Sequence, residues 1–587
     1  MIAPFPDSAA ADSRPLREVV GEFFALGGAL ADVTTGDFEF EARPQQQQMA
    51  DAVAAALADE RHLIVEAGTG VGKSLAYLVP LLLHAQQQGI RVLVSTHTIA
   101  LQEQLLGKDL PMLHERLGFE FRAVLVKGRM NYLCLRRLAR ARSHQRELFS
   151  DGVAEELERI RSWADKTDDG SLQEWRHEPS AEAWGAVCAE HGNCLGAKCP
   201  ERKRCFLLRA RAKMQDAHLL VANHHLLFSD LALRQDGAAF LPDVGAVVLD
   251  EAHMVEDTAS EHLGLRLSTY GFEHWLRRLF VPESGKGLLG YLRAGAAARV
   301  ATELWPAVAD LFHEVPRLVG LGPHDGQKVV AQPLQLVTNV PELMHQLSTE
   351  LEILGEDLVG QDEDSRAELR SLRGQGIALS KMLEAFLDQS MPDHVYWLER
   401  EGRRRQPVLY SAPIEVAPIL RNVLFGTLRT VILTSATLAV AGRLDYCRDR
   451  LGAPAETELL CLGSPFDHAR QMRLYVATNA PDPKEKDAYA EAVAKGVLQW
   501  SLKTKGRAFA LFTSAELLQR TAEALREPLA DAGLELLAQG GKLGRRAMLE
   551  TFRKNEGYVL FGLDSFWMGV DVRGDALSNV ILTRLPF

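Results

Sequence analysis

The segment Ala67-Gly-Thr-Gly-Val-Gly-Lys-Ser74 constrains this chain's fold more than any other stretch. Glycines at every second position let the backbone turn tightly, so that its amides converge on one small anion. Such a loop belongs between an apolar strand and a helix. His62-Leu-Ile-Val-Glu66 reads as that strand and Ser74 to Gln88 as the helix. Arg91-Val-Leu-Val-Ser95, Ala246-Val-Val-Leu-Asp250 and, much later, Thr430-Val-Ile-Leu-Thr434 are further short apolar runs. Runs of this kind, with helical stretches between, imply a parallel sheet buried on both faces. The fold class is α/β.

The loop residues Ala67, Gly68, Thr69, Gly70, Val71, Gly72, Lys73 and Ser74 form a candidate phosphate cradle. Lys73 would neutralise the β- and γ-phosphates of ATP, and Ser74 would offer its hydroxyl to Mg2+. Asp250-Glu251-Ala252-His253 follows its own apolar strand. Asp250 is suited to holding the magnesium through water, and Glu251 to taking a proton from an attacking water. His253 is a candidate sensor between this site and other segments.

Between these two motifs lie Cys134, Cys194, Cys199 and Cys205. Their spacing is not the tight pairing of a zinc ribbon, yet four thiolates suit either tetrahedral zinc or an iron–sulfur cluster. Cys188 is a fifth thiol in the same stretch; Cys447 and Cys461 read as isolated, small buried hydrophobes. Two acid-free basic runs flank the thiols: Arg129, Arg136, Arg137, Arg140 and Arg142, then Arg202, Lys203, Arg204, Arg209, Arg211 and Lys213. Either run could be a solvated helix face, but their place beside the thiols favours a DNA-facing surface. The formal net charge of −12 argues mildly against nonspecific affinity for nucleic acid, although a phosphate backbone responds to the local groove.

Length allows roughly four domains. Seven cysteines among 587 residues do not make a secreted disulfide framework. The start Met1-Ile-Ala-Pro-Phe-Pro-Asp7 lacks the basic and apolar regions of a signal peptide, and no run of about 18 apolar residues would span a membrane. A cytoplasmic protein is expected. Helical patterning dominates from about Leu265 to Gln389, with no chemical motif, and reads as an insertion. Strands return at Arg507–Thr513, Tyr558–Gly562 and Asn579–Thr583, implying a second parallel-sheet domain.

Further segments carry a family resemblance over nearly the whole chain. Arg43-Pro-Gln-Gln46 with Met49 looks like an adenine-recognising motif. Ser95-Thr-His-Thr98 with Leu101-Gln-Glu-Gln-Leu105 resembles a strand-contacting motif, and Ser435-Ala-Thr437 a third helicase motif. Lys127-Gly-Arg-Met-Asn-Tyr-Leu-Cys134 and Cys194-Leu-Gly-Ala-Lys-Cys199-Pro are similar to cluster-ligand segments, and Asn223-His224-His225 to the return into the motor. Leu511-Phe-Thr-Ser514 and Phe566 to Gly574 resemble motifs of the second motor. Together they resemble the DinG/YoaA branch of the XPD-like superfamily 2 DNA helicases.

The resemblance implies a monomeric ATP-dependent helicase moving 5′ to 3′ on single-stranded or forked DNA in replication or repair. ATP would bind between two RecA-like motor domains, with Arg43 and Gln46 at the base and Mg2+ at Ser74 and Asp250. Cys134, Cys194, Cys199 and Cys205 would hold a [4Fe-4S] cluster. The expected layout is a first motor domain of residues 1–118, 216–262 and 409–445, a cluster domain at 119–215, an arch at 263–408 and a second motor domain at 446–587. A replication or repair protein is an expected partner. The alternatives are a translocase that remodels protein–DNA complexes and an inactive DNA-binding scaffold. Two departures bear on these: Met568 stands where the family has glutamate, and no Gln-x-x-Gly-Arg-x-x-Arg motif follows Arg584-Leu-Pro-Phe587. A fragment lacking those arginines is expected to hydrolyse ATP slowly by itself.

Overall fold

The computed structural model describes residues 13–30, 42–144, 148–149, 151–175, 179–235, 237–323, 325–402, 404–541, 543–554, 556–567, 570, 572 and 574–586. Met1–Asp7, Met568 and Phe587, which entered the sequence reading, lie outside them. Two compact units result: residues up to His97 with Leu105–Pro465, and Thr98–Gln104 with the residues from Phe466 onward.

The first unit runs through β1 (Leu63–Ala67), β2 (Val92–Thr96), β3 (Ala123–Leu125), β4 (Leu219–Asn223) and β5 (Ala246–Asp250). Next come β6 (Leu265–Ser268), β7 (Gln327–Val329), β8 (His394–Glu401) and β9 (Gln406–Pro413), then β10 (Thr430–Ser435) and β11 (Glu458–Leu462). Seven strands form one parallel sheet in the order β11-β1-β10-β5-β2-β4-β3. The four central strands are almost wholly buried, as strands covered by helices on both faces must be. Helices Pro44–Ala58 and Lys73–Gln88 cover one face, and Leu227, Phe228, Val255 and Leu424 belong to the core on the other. Glu66 lies level with Ser435, and Thr434 with Asp250, so the loops after β1, β10 and β5 leave the same carboxyl edge side by side. Ligands of open parallel sheets bind at that edge.

Two further cores belong to this unit. One gathers residues from Tyr132 to Leu207. The other gathers Leu265 to Leu409, around the long helices Gly295–Val319, Val340–Asp357 and Glu363–Asp388. The stretch read as helical also carries β6 and β7, which join β8 and β9 beyond its end in an antiparallel sheet ordered β6-β9-β8-β7. Along β8, Tyr396 and Leu398 turn into the core while their neighbours do not.

The expected start of the second motor domain at 446 falls too early. Cys447 and Leu451 pack into the first unit's core, and β11 pairs with β1, so the first unit extends to Pro465. The second unit holds β12 (Ala508–Leu511), β13 (Glu535–Ala538), β14 (Tyr558–Gly562) and β15 (Asn579–Leu582), parallel in the order β13-β14-β12-β15. No helix of the described residues is long and apolar enough to cross a membrane.

Candidate nucleotide and cluster sites

The phosphate loop leaves the end of β1 and closes on the helix Lys73–Gln88. Gly70 and Gly72 have φ of 83° and 86°, and a Cβ at Gly72 would stand 2.1 Å from Gln46 Nε2. The positive φ favours glycine there, and a Cβ would push the Gln46 amide off the loop. Two side chains from the start of the helix Pro44–Ala58 brace the loop: Arg43 Nη1 donates to the Gly70 carbonyl, and Gln46 Nε2 to the Gly72 carbonyl at 3.1 Å. Lys73 Nζ reaches back to the Ala67 carbonyl at 3.4 Å.

Asp250 ends β5, buried, with Oδ2 accepting from the Tyr77 hydroxyl at 3.0 Å. Burial first, and the neighbouring Glu251 second, push its carboxyl up to about 6, while Lys73 opposes the shift. Glu251 has φ of 56°, a conformation few non-glycine residues adopt, and its amide donates to Asp250 Oδ1 at 2.9 Å. Ser435, at the end of β10, donates to Glu251 Oε2 at 3.3 Å and meets His253 Nδ1 at 2.8 Å. His224 Nε2 donates to the Asp250 carbonyl at 2.9 Å, so its Nδ1 accepts from Ser95 Oγ at 2.7 Å. Burial pushes this imidazole down to about 3, which keeps it neutral. Lys73, Ser74, Asp250, Glu251 and His253 thus meet at one sheet edge.

The four expected thiols also come together. Cys134 precedes the helix Leu135–Ser143 and Cys205 the helix Phe206–Gln215, while Cys194 and Cys199 sit on the intervening loop. All four line one cavity of about 40 Å³ with Arg129 and Arg136. Among the described residues no three His, Cys, Asp or Glu side chains are placed to hold a single metal ion; the thiols line the cavity instead of meeting at one point. An all-thiolate set walled by arginines fits an iron–sulfur cluster, which four thiolates can hold and whose charge is negative. Cys188 is absent from that wall: it bridges to Leu133 and is buried in the small core. Cys461, expected to be buried, is exposed on β11, an edge strand.

Residues 43–142 match the DEAD/DEAH box helicase family, and residues 497–587 the helicase C-terminal domain. The ATP-dependent DNA helicase YoaA of Haemophilus influenzae is 31% identical, over 97% of this chain and 85% of its own length. The ATP-dependent helicase DinG of Mycobacterium tuberculosis is 32% identical, over 93% and 82%. The chain belongs to the DinG/YoaA helicase family. A solved XPD helicase covers 93% of the chain, and 85% of its own length is covered, at a TM-score of 0.51 and 16% identity, a likeness of fold alone.

Within this DinG/YoaA chain the first basic run departs from expectation. Arg136 and Arg137 are 3% and 2% exposed and are paired with carboxylates, so they present no charge to solvent. Arg202, Lys203, Arg204, Arg209 and Lys213 of the second run are exposed. Tyr77 was missed by sequence reasoning; its signal is a lone phenol on an apolar helix, three residues past Ser74. His224 was noticed only as part of a family segment.

Proposed function

We propose that this chain is an ATP-dependent DNA helicase that moves 5′ to 3′ along single-stranded DNA and opens duplexes in replication or repair. The observation that carries the reading is the Ser435 hydroxyl between Glu251 and His253, at the same edge as Lys73 and Asp250. Lys73 and the loop amides from Gly68 to Gly72 bind and orient the triphosphate; Arg43 and Gln46 brace that loop and sit on the base side. Ser74 and Asp250 would hold magnesium, which supplies charge neutralisation at the phosphates. Glu251 takes the proton of the attacking water, and His253 with Ser435 orients it.

Residues 119–215 act as a cluster domain, with Cys134, Cys194, Cys199 and Cys205 holding a [4Fe-4S] cluster that stiffens the strand-separating surface. Residues 263–408 act as the arch. The exposed second basic run contacts phosphates, so binding carries no base preference. A cytoplasmic location and a monomeric state accord with this reading.

Strand displacement on a 5′-tailed duplex tests it. The protein should separate strands only with ATP, and Lys73→Ala or Glu251→Gln should stop separation while single-strand binding persists. Undiminished separation by either variant would exclude this site.

A further inference from the structure

A buried ionic knot ties two thiol-bearing loops to the helical insertion. Glu368, on the helix Glu363–Asp388, is 8% exposed and sits at its centre. Its Oε1 accepts from Arg137 Nη2 at 3.0 Å and from Arg278 Nη2 at 2.6 Å; its Oε2 accepts from Asn193 Nδ2 at 2.5 Å. Arg137 lies three residues beyond Cys134, and Asn193 immediately precedes Cys194. Arg136 closes the ring: Nη2 donates to both the backbone and side-chain oxygens of Asn193 at 2.7 Å, and Nη1 to Asp364 at 2.5 Å. Arg137 Nη1 also holds the Cys188 carbonyl at 2.5 Å, in the segment paired with Leu133. Arg278, from the helix Thr269–Leu279, grips Glu190 through both nitrogens at 2.6 and 2.8 Å.

The loops of Cys134 and Cys194 are about sixty residues apart in sequence and meet directly beside their thiols, through Arg136 and Asn193. Glu368, from much later in the chain, adds a buried carboxylate that bonds Arg137 on one loop and Asn193 on the other. Buried arginines do not tolerate the loss of such a counter-charge without rearranging. Any rearrangement would act first on the residues beside the two cysteines.

We propose that Glu368 is a positioning residue for the thiol set, so that the helical insertion controls assembly of the metal centre. This rests on the reading that the four cysteines hold an iron–sulfur cluster. Outer partners that orient metal ligands commonly change affinity by about 10–100-fold. Iron and sulfide per chain, with visible absorption, should therefore be measured on anaerobically purified full chain, on Glu368→Gln and on Asn193→Ala. Binding of a fluorescent ATP analogue reports whether the motor remains folded.

The parent should carry about four irons, and Glu368→Gln should lose iron about tenfold with nucleotide affinity unchanged. Parental iron in Glu368→Gln overturns the positioning role alone, whereas an iron-free parent overturns the cluster reading and this inference with it. If Glu368→Gln also loses nucleotide binding, Asn193→Ala decides: less iron at parental nucleotide affinity supports the role, and full iron overturns it.

Discussion

Two side chains at the nucleotide edge act on Asp250 without being obvious chemical groups. Tyr77 donates to its carboxylate, and Tyr77→Phe removes that bond while keeping the ring. A hydrogen bond of this kind contributes about 1 kcal/mol, so half-saturation by magnesium should rise about fivefold, read from ATP hydrolysis against metal concentration. An unchanged requirement would place Tyr77 outside the metal's control. His224 is held neutral, with its pKa depressed to about 3 against about 6.5 when unfolded. The unfolded chain therefore takes up a proton that the native chain refuses. The native state keeps its full margin above pH 6.5 and loses it as pH falls towards 3, by about 1.4 kcal/mol at pH 5.5. Burial also depresses His97, His262 and His274, so they act in the same direction. Urea midpoints at pH 7.5 and 5.5 should fall less with acid in His224→Asn than in the parent; equal falls would count against a neutral native His224.

At the scale of elements, the thiol cavity makes a selective prediction. Cys194→Ser should release iron, whereas Cys188→Ala should keep it, because Cys188 is not part of the cavity wall. Iron loss from Cys188→Ala would reassign the ligands. The exposed basic stretch predicts a salt effect: Lys203→Ala with Arg209→Ala should reduce the slope of log affinity against log salt by about 0.7 per lost phosphate contact on single strands. An unchanged slope would remove these residues from the DNA path. Much of this level was legible in sequence, because β1, β2, β5, β10, β12, β14 and β15 are short apolar runs with clear ends. The antiparallel sheet was not, since its strands β6 and β7 are short and separated from β8 and β9 by long helices. Nor was the burial of Arg136 and Arg137, whose hydrogen-bonded carboxylates, Asp364 and Glu368, lie more than 220 residues further on. A basic run looks solvated until the fold supplies its counter-charges.

At the scale of the whole molecule, the net charge of −12 and a DNA-binding role are compatible because charge is distributed unevenly. Glu190, Glu368 and Asp364 neutralise the inner arginines, leaving the outer basic stretch exposed. Lys73, Asp250 and Glu251 converge at one edge from segments up to 178 residues apart, and that convergence is what the proposed hydrolytic site rests on. Single-strand-stimulated ATP hydrolysis by the protein, compared with its Glu251→Gln variant, tests this most directly. We expect DNA to raise the parental rate, and the variant to lose about 10²–10⁴ of it while still binding nucleotide. A Glu251→Gln variant that hydrolyses ATP at the parental DNA-stimulated rate would contradict the assignment.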